Sequence, residues 1–226
     1  MENVVISKNT LDFLNKLKRN NTREWFLAHK TEFKTHEAKF KKFVAVLNEE
    51  LNVHDEIEKS KVFRIYRDVR FSKDKTPYKT HLAASYTRSG TKLRGGYYLH
   101  IKEGESFIAT GFWEPNKEDL FRIRKELEVD ASEFREIIGA KDFVNIWGVL
   151  VGDELKKAPK GFDAMHKNID LIKKKQYIFV RKFTDEEVWS SNFLSTVNES
   201  FKAIRPYFDL MSDILTTNLN GESLLD

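Results

Sequence analysis

Gly96-Tyr97-Tyr98-Leu99-His100-Ile101-Lys102, followed after Glu103-Gly104-Glu105 by Ser106-Phe107-Ile108-Ala109-Thr110-Gly111-Phe112-Trp113, decides the fold. Successive strand side chains point to opposite faces, so Tyr97, Leu99 and Ile101 fall on one side and Tyr98, His100 and Lys102 on the other. Two such segments joined through a glycine-containing turn read as antiparallel neighbours. Working outward, His81 to Tyr86 reads as a strand before them. Val62-Phe63-Arg64-Ile65-Tyr66 reads as an earlier one, with Phe63 and Ile65 toward the core and Arg64 and Tyr66 on the other face. Gln176 to Phe183 adds another strand later in the chain, and Val149-Leu150-Val151 is an ambiguous short candidate.

Glycine usage separates the two kinds of structure. The first 89 residues contain none, whereas Gly90, Gly95, Gly96, Gly104 and Gly111 crowd into the strand region. Ahead of the strands, Leu11, Leu14 and Leu17 suit a first helix, with Ser7 or Thr10 as N-cap. Asn21 with Glu24 three residues on predicts a capping box that opens a long second helix to about residue 52. Its apolar stripe runs Phe26, His29, Phe33, His36 or Glu37, Phe40, Phe43 or Val44, Leu47 and Leu51. After the strands, Asn116 to Leu127 and Ser132 to Ile138 read as helices. Thr184 with Glu187 opens another, which Pro206 should kink or divide. The expectation is a single α+β domain over 1–226. N-terminal helices occupy about 8–52, an antiparallel meander about 61–113, and a C-terminal helical region with one or two further strands about 116–219.

Composition excludes several chemistries. The chain has 226 residues and no cysteine, which removes disulfide scaffolds, Cys-ligated zinc, thiol nucleophiles and iron–sulfur sites. The first residues carry no signal-peptide pattern, and apolar runs such as Phe43 to Leu47 fall far short of the roughly 20 residues a membrane span needs. A cytoplasmic protein without membrane association is the expectation. His36-Glu37-Ala38-Lys39-Phe40 starts like a zincin helix but has Phe40 where the second histidine belongs. His29 and His36 lie two turns apart and match the apolar stripe, so packing rather than metal binding is expected. No metal or cofactor is indicated. Ser72-Lys73-Asp74-Lys75 matches S-x-x-K without the companion motifs of serine acyl transfer.

The net charge of +4 conceals a segregation. Lys61 to His81 holds seven basic and two acidic residues, and Arg88, Lys92 and Arg94 bring the stretch to +8 against −4 elsewhere. Arg64, Arg67 and Arg70 run into Ser72, Lys73, Lys75, Thr76 and Lys79. Guanidinium forks, mobile ammonium groups and hydroxyls together suit phosphate or carboxylate oxygens. Asp68 and Asp74 are expected to orient arginines rather than act as bases. Strand alternation further places Arg64, Tyr66, His81, Tyr98 and His100 around a space above small Ala83 and Ser85, a geometry that depends on register. Tyr78 completes the candidate binding set, and His81 and His100 are the candidate acid/base residues. The competing structural reading is an Arg67–Asp68–Arg70 ion-pair network with hydrogen-bonded histidines.

Asn20-Asn21-x-Arg23-Glu24-Trp25-Phe26, the Arg64 to His81 run, Gly95 to Ile101, Gly111-x-Trp113-x-Pro115 and Pro159-Lys160-Gly161 together resemble the family catalogued as domain of unknown function 2461. The resemblance covers about residues 8 to 215 and implies one intact domain, with no reaction, substrate or cofactor. From the residues themselves, the leading expectation is binding of a phosphorylated or polyanionic small ligand at the basic loop 64–81, possible catalysis being left open. The alternatives are nucleic-acid binding, with Tyr66, Phe71, Tyr78 and Tyr86 stacking on bases, and a protein-interaction module for an acidic partner. A closed pocket favours the small ligand, and a long basic surface favours nucleic acid.

Overall fold

Leu11, Leu14 and Leu17 share one helical face, and a computed structural model, which describes residues 4–225, buries all three on α1 (Lys8–Arg19). The long helix expected next is two helices, α2 (Arg23–Ala28) and α3 (Lys30–Leu51). Thr22 rather than Asn21 caps α2, its hydroxyl accepting the Trp25 N–H. Asn21 is occupied elsewhere: its side chain donates to the Tyr78 carbonyl at 2.9 Å and accepts the Tyr78 N–H at 3.1 Å. The break falls at His29, where φ is −108° and ψ 14°. There the imidazole stacks on Trp25 at 4.0 Å and its Nδ1 lies 2.8 Å from the Trp25 carbonyl oxygen. The apolar stripe survives the break. Phe26, Phe33, Phe40, Phe43, Val44, Leu47 and Leu51 are buried, and His36 packs among them with Nδ1 3.0 Å from Thr10 Oγ1.

Five strands, β1 (Ile57–Val62), β2 (Leu82–Arg88), β3 (Gly96–Ile101), β4 (Ser106–Phe112) and β5 (Tyr177–Phe183), form an antiparallel sheet in sequence order. The fold class is α+β, as the pattern required. The first strand differs from expectation: it ends at Val62 instead of beginning there. Phe63 still donates its N–H to Ala83 (2.9 Å), but the chain then leaves the sheet ladder. Residues 65–67 pair with 77–79 through Arg67 N–H to Pro77 (2.9 Å) and Lys79 N–H to Ile65 (2.7 Å), with a Tyr66–Tyr78 bridge between. The basic stretch is therefore a hairpin whose tip spans 68–76.

The later helices are α4 (Lys117–Val129), α5 (Ser132–Gly139), α6 (Lys141–Trp147), α7 (Ile169–Ile172), α8 (Asp185–Trp189), α9 (Phe193–Ala203) and α10 (Arg205–Thr216). Asn116 caps α4 by accepting the N–H groups of Glu118 and Asp119. Thr184 and Glu187 make the expected capping box. Pro206 divides the last helical stretch, lying in the first turn of α10 where its missing N–H costs no intrahelical bond. Val151 pairs with β5 only as a single bridge to Ile178.

The chain divides into two compact units, each drawing on separated segments. One holds the chain as far as Tyr86, Tyr98–Ile108 and Lys182–Glu199. Its core joins the α3 stripe to Leu82, Leu99, Ile101 and Ile108, and Phe193 lies 5.7 Å from Phe43. The other holds Thr87–Tyr97, Ala109–Arg181 and the chain from Ser200 onward. There Tyr207 is fully buried against Phe179 (5.1 Å) and Phe134 (5.9 Å), its hydroxyl donating to the Tyr177 carbonyl at 2.8 Å. Among the described residues no helix is long and apolar enough to cross a membrane.

Candidate functional site

The hairpin root is built from rings. Tyr78 is 5% exposed and stacks on Phe26 at 4.0 Å, while Tyr66 meets Phe26 edge-on at 6.0 Å and Tyr78 at 5.4 Å. With the Asn21 bonds to its backbone, Tyr78 fastens the hairpin to α2, and burial raises its hydroxyl pKa. Its ring is thus a structural anchor.

At the tip, two of the three arginines bond within the loop, Arg67 largely covered and Arg70 at the surface. Arg67 donates to Asp74 (2.5 Å), to the Thr76 hydroxyl and carbonyl, and to Ser72 Oγ (3.4 Å). Arg70 grips both oxygens of Asp68 at 3.0 and 2.6 Å, and Lys75 Nζ donates to the Val69 carbonyl at 2.9 Å. The Arg70 bond holds the Asp68 carboxyl below its ordinary pKa. The Thr76 N–H, then Arg67, do the same for Asp74. These contacts knit the loop together, but not as the expected Arg67–Asp68–Arg70 network: Arg67 pairs with Asp74 and only Arg70 with Asp68. Lys73 is exposed, and Phe71 projects at 97% exposure with the Arg70 guanidinium 6.0 Å from its ring centre.

Arg64 behaves differently. It forms no ion pair or side-chain hydrogen bond among the described residues and borders a cavity of about 190 Å³. Phe26, Phe33, Ile65 and Tyr66 supply apolar walls, while Lys30, Lys34, Arg64 and Glu37 supply the charges. Glu37, itself part of the lining, is paired with Lys41 at 3.2 Å, and Lys30, Lys34 and Arg64 form no ion pair among the described residues, although Arg64 acts electrostatically on Asp68. Arg64 also joins Lys61 in lowering the Lys79 pKa, an effect led by burial of that ammonium.

The space imagined above Ala83 and Ser85 is divided between two places. Arg64 and Tyr66 line the cavity, whereas His81, Tyr98 and His100 gather with Phe63 and Phe107. The imidazole centres lie 4.1 Å apart, His100 stacks on Phe107 at 4.7 Å, and its Nδ1 lies 3.1 Å from the Tyr98 hydroxyl. Burial lowers both imidazoles to about 4. His81 is depressed further by His100, Lys79 and Lys102, and His100 by Lys102 against the opposing effect of Glu105. Both are neutral near pH 7 and weak as bases. Tyr86, counted among the stacking aromatics, is buried with its hydroxyl on the Val44 carbonyl.

The last cations of the +8 stretch belong to the second unit. Arg88 is buried, donating to the Arg94 carbonyl (2.8 Å) and Ser212 (3.4 Å) with Phe208 beneath it, and Arg94 pairs with Asp119. Sequence reasoning missed Lys30, Lys34, Phe63 and Phe107. Lys30 and Lys34, one turn apart beside Phe26 and Phe33, were the available signal for the first two.

A family model described as "Conserved hypothetical protein (DUF2461)" matches residues 9–210. The chain belongs to the DUF2461 family. The match takes in all of the hairpin, cavity and sheet residues described above, so these DUF2461 features lie within the family region. No curated protein and no solved structure matches the chain.

Proposed function

We propose that this protein binds a small phosphorylated or otherwise polyanionic ligand that carries a planar or apolar body, in the cavity between α2, α3 and Arg64–Tyr66. The observation that carries this reading is the convergence of Lys30, Lys34 and Arg64, three cations against the single lining carboxylate Glu37, over Phe26, Phe33 and Tyr66. Cations left close together repel one another, and an anion between them relieves that repulsion. The aromatic walls favour a ligand with a ring rather than a bare ion. Arg67, Arg70, Ser72 and Lys75 hold the neighbouring hairpin in shape, and Lys73 and Lys79 add long-range positive field. No reaction is assigned. The cysteine-free, charge-rich composition supports a cytoplasmic setting.

The test is thermal stabilisation by phenyl phosphate and by inorganic phosphate. At a hundredfold excess over Kd a ligand contributes about 2.7 kcal/mol, which for a chain of this length is a rise of roughly 5–10 °C. Phenyl phosphate should stabilise more than phosphate. The triple substitution Lys30→Ala, Lys34→Ala and Arg64→Ala should abolish the shift, while Arg67→Ala with Arg70→Ala should lower the starting melting temperature and keep the shift. Equal shifts in wild type and the cavity triple variant would refute the reading.

A further inference from the structure

Five side chains of the first unit form a second cluster that the cavity does not use. Phe63 lies 6.1 Å from Tyr98, Tyr98 lies 5.8 Å from Phe107, Phe107 stacks on His100, and His100 continues to His81. All five are partly open to solvent. Leu99 and Ile101, which alternate with Tyr98 and His100 along β3, are completely buried. The two faces of this strand are thus unequal: one is core, and the other presents contiguous rings. The five rings form one contiguous, half-buried aromatic surface.

The border of the patch is basic. The ammonium groups of Lys61 and Lys79 lie 5.2 and 5.4 Å from the Phe63 ring centre, and neither has an acidic partner among the described residues. Lys102, close enough to act on both histidines, is paired with Glu105 at 2.7 Å. Uncharged rings bordered by ammonium groups that have only a ring and no carboxylate as partner match a polymer that alternates flat π-systems with phosphates.

We propose that this face binds single-stranded nucleic acid, with unpaired bases against Tyr98 and Phe107 and backbone phosphates at Lys61 and Lys79, while His100, held between Phe107 and His81, and Phe63, beneath the two ammonium groups, back the site. A duplex hides the faces of its bases and presents little for such rings to stack on, whereas a single strand exposes them. The site shares no named side chain with the Phe26–Arg64 cavity, although Arg64 adjoins Phe63 and acts on Lys79, and the proposal does not depend on a ligand in the cavity.

Fluorescence anisotropy with a labelled ten-nucleotide single strand, DNA and RNA in turn, tests this on the full chain. Binding should be measurable in dilute buffer, fall steeply toward physiological salt, and exceed binding to a duplex of the same length at least tenfold. Tyr98→Leu with Phe107→Leu, chosen to keep apolar volume, should weaken binding tenfold or more with the salt slope unchanged. Tyr98→Phe, which keeps the ring, should bind within about twofold of wild type, so a loss caused by misfolding is recognised. Lys61→Ala with Lys79→Ala should make the log–log salt slope shallower by about one to one and a half, since each neutralised phosphate on a single strand contributes roughly 0.7. Lys30→Ala with Lys34→Ala should leave the affinity unchanged. No binding in dilute buffer overturns the proposal. So does equal affinity for duplex, a Leu double variant that binds like wild type, or loss on removing Lys30 and Lys34 instead. Failure of the phenyl phosphate experiment with the oligonucleotide pattern intact would remove the cavity reading alone.

Discussion

Acidification should destabilise the first unit through His81 and His100 in a pH window set by their burial. Both imidazoles are lowered in the folded protein from 6.5 to about 4, chiefly by desolvation. Between these values the unfolded chain binds protons that the folded chain refuses, so stability present at pH 7 falls as pH drops through 6.5 and is exhausted near 4. A shift of this size corresponds to ~3.4 kcal/mol for a fully shielded ring. Both rings are partly open to water, and screening reduces the contribution to about half of that, or ~3 kcal/mol for the pair. The two titrate as a coupled unit, because a charge on His100 further opposes one on His81. Urea unfolding of wild type and of His81→Gln/His100→Gln, measured from pH 7.5 to 4.5, isolates this effect from that of the carboxylates, which both proteins share. Wild type should lose ~3 kcal/mol more than the variant across that range. Parallel curves would refute the assignment of two desolvated, neutral imidazoles.

Two further perturbations probe the scaffold. Phe26→Ala removes a ring that is 1% exposed and touches Phe33 and Tyr78, so it should cost about 3–5 kcal/mol, roughly 10 °C in melting temperature, and abolish the phenyl phosphate shift. Phe26→Leu should recover most of the stability in the same calorimetric measurement. Gly111→Ala places a Cβ against the Tyr177 carbonyl and 3.0 Å from Ile178 Cα at φ +113°, so it should lower the melting temperature by roughly 6 °C or more. Gly90→Ala, where φ is +67° and nothing lies within 4 Å, should cost only about 1 kcal/mol by the same assay.

Regular elements were legible because periodicity follows from local geometry. Tyr97, Leu99 and Ile101 are buried while Tyr98 and His100 are partly open, as period two demands. The Thr184–Glu187 box and the Asn116 cap involve residues two or three apart, and both formed. Failures came where a distant partner outbid a local one. Asn21 had a local role available as an N-cap, yet its amide bonds the Tyr78 backbone 57 residues away, and Thr22 takes the cap. The stripe gave no sign of the break at His29, because the apolar spacing runs through it. Phe63 was assigned to the core on the assumption that the strand continued to Tyr66. It ends at Val62, and the ring lies beside Tyr98 on the half-open face.

Charge was the least legible property, since sequence counts cations without saying what holds them. Arg67 and Arg70 drew attention as anion ligands through their spacing. That spacing also places each within reach of an aspartate, and intramolecular partners at fixed short range compete with any ligand that must give up translational freedom to bind. Arg88 is withdrawn into the second unit's core, and Arg94 is held by Asp119. The cations that form no ion pair among the described residues are Arg64, Lys61 and Lys79 from the basic stretch, and Lys30 and Lys34 from a helix with little net charge to attract notice, although Asp68 acts on Arg64 and Glu37 borders the same cavity. In the proposed reading, ligand binding therefore follows the part of a charged segment that forms no ion pair rather than its total. In this protein that remainder borders two aromatic surfaces, the cavity beside α3 and the ring-bearing face of the sheet.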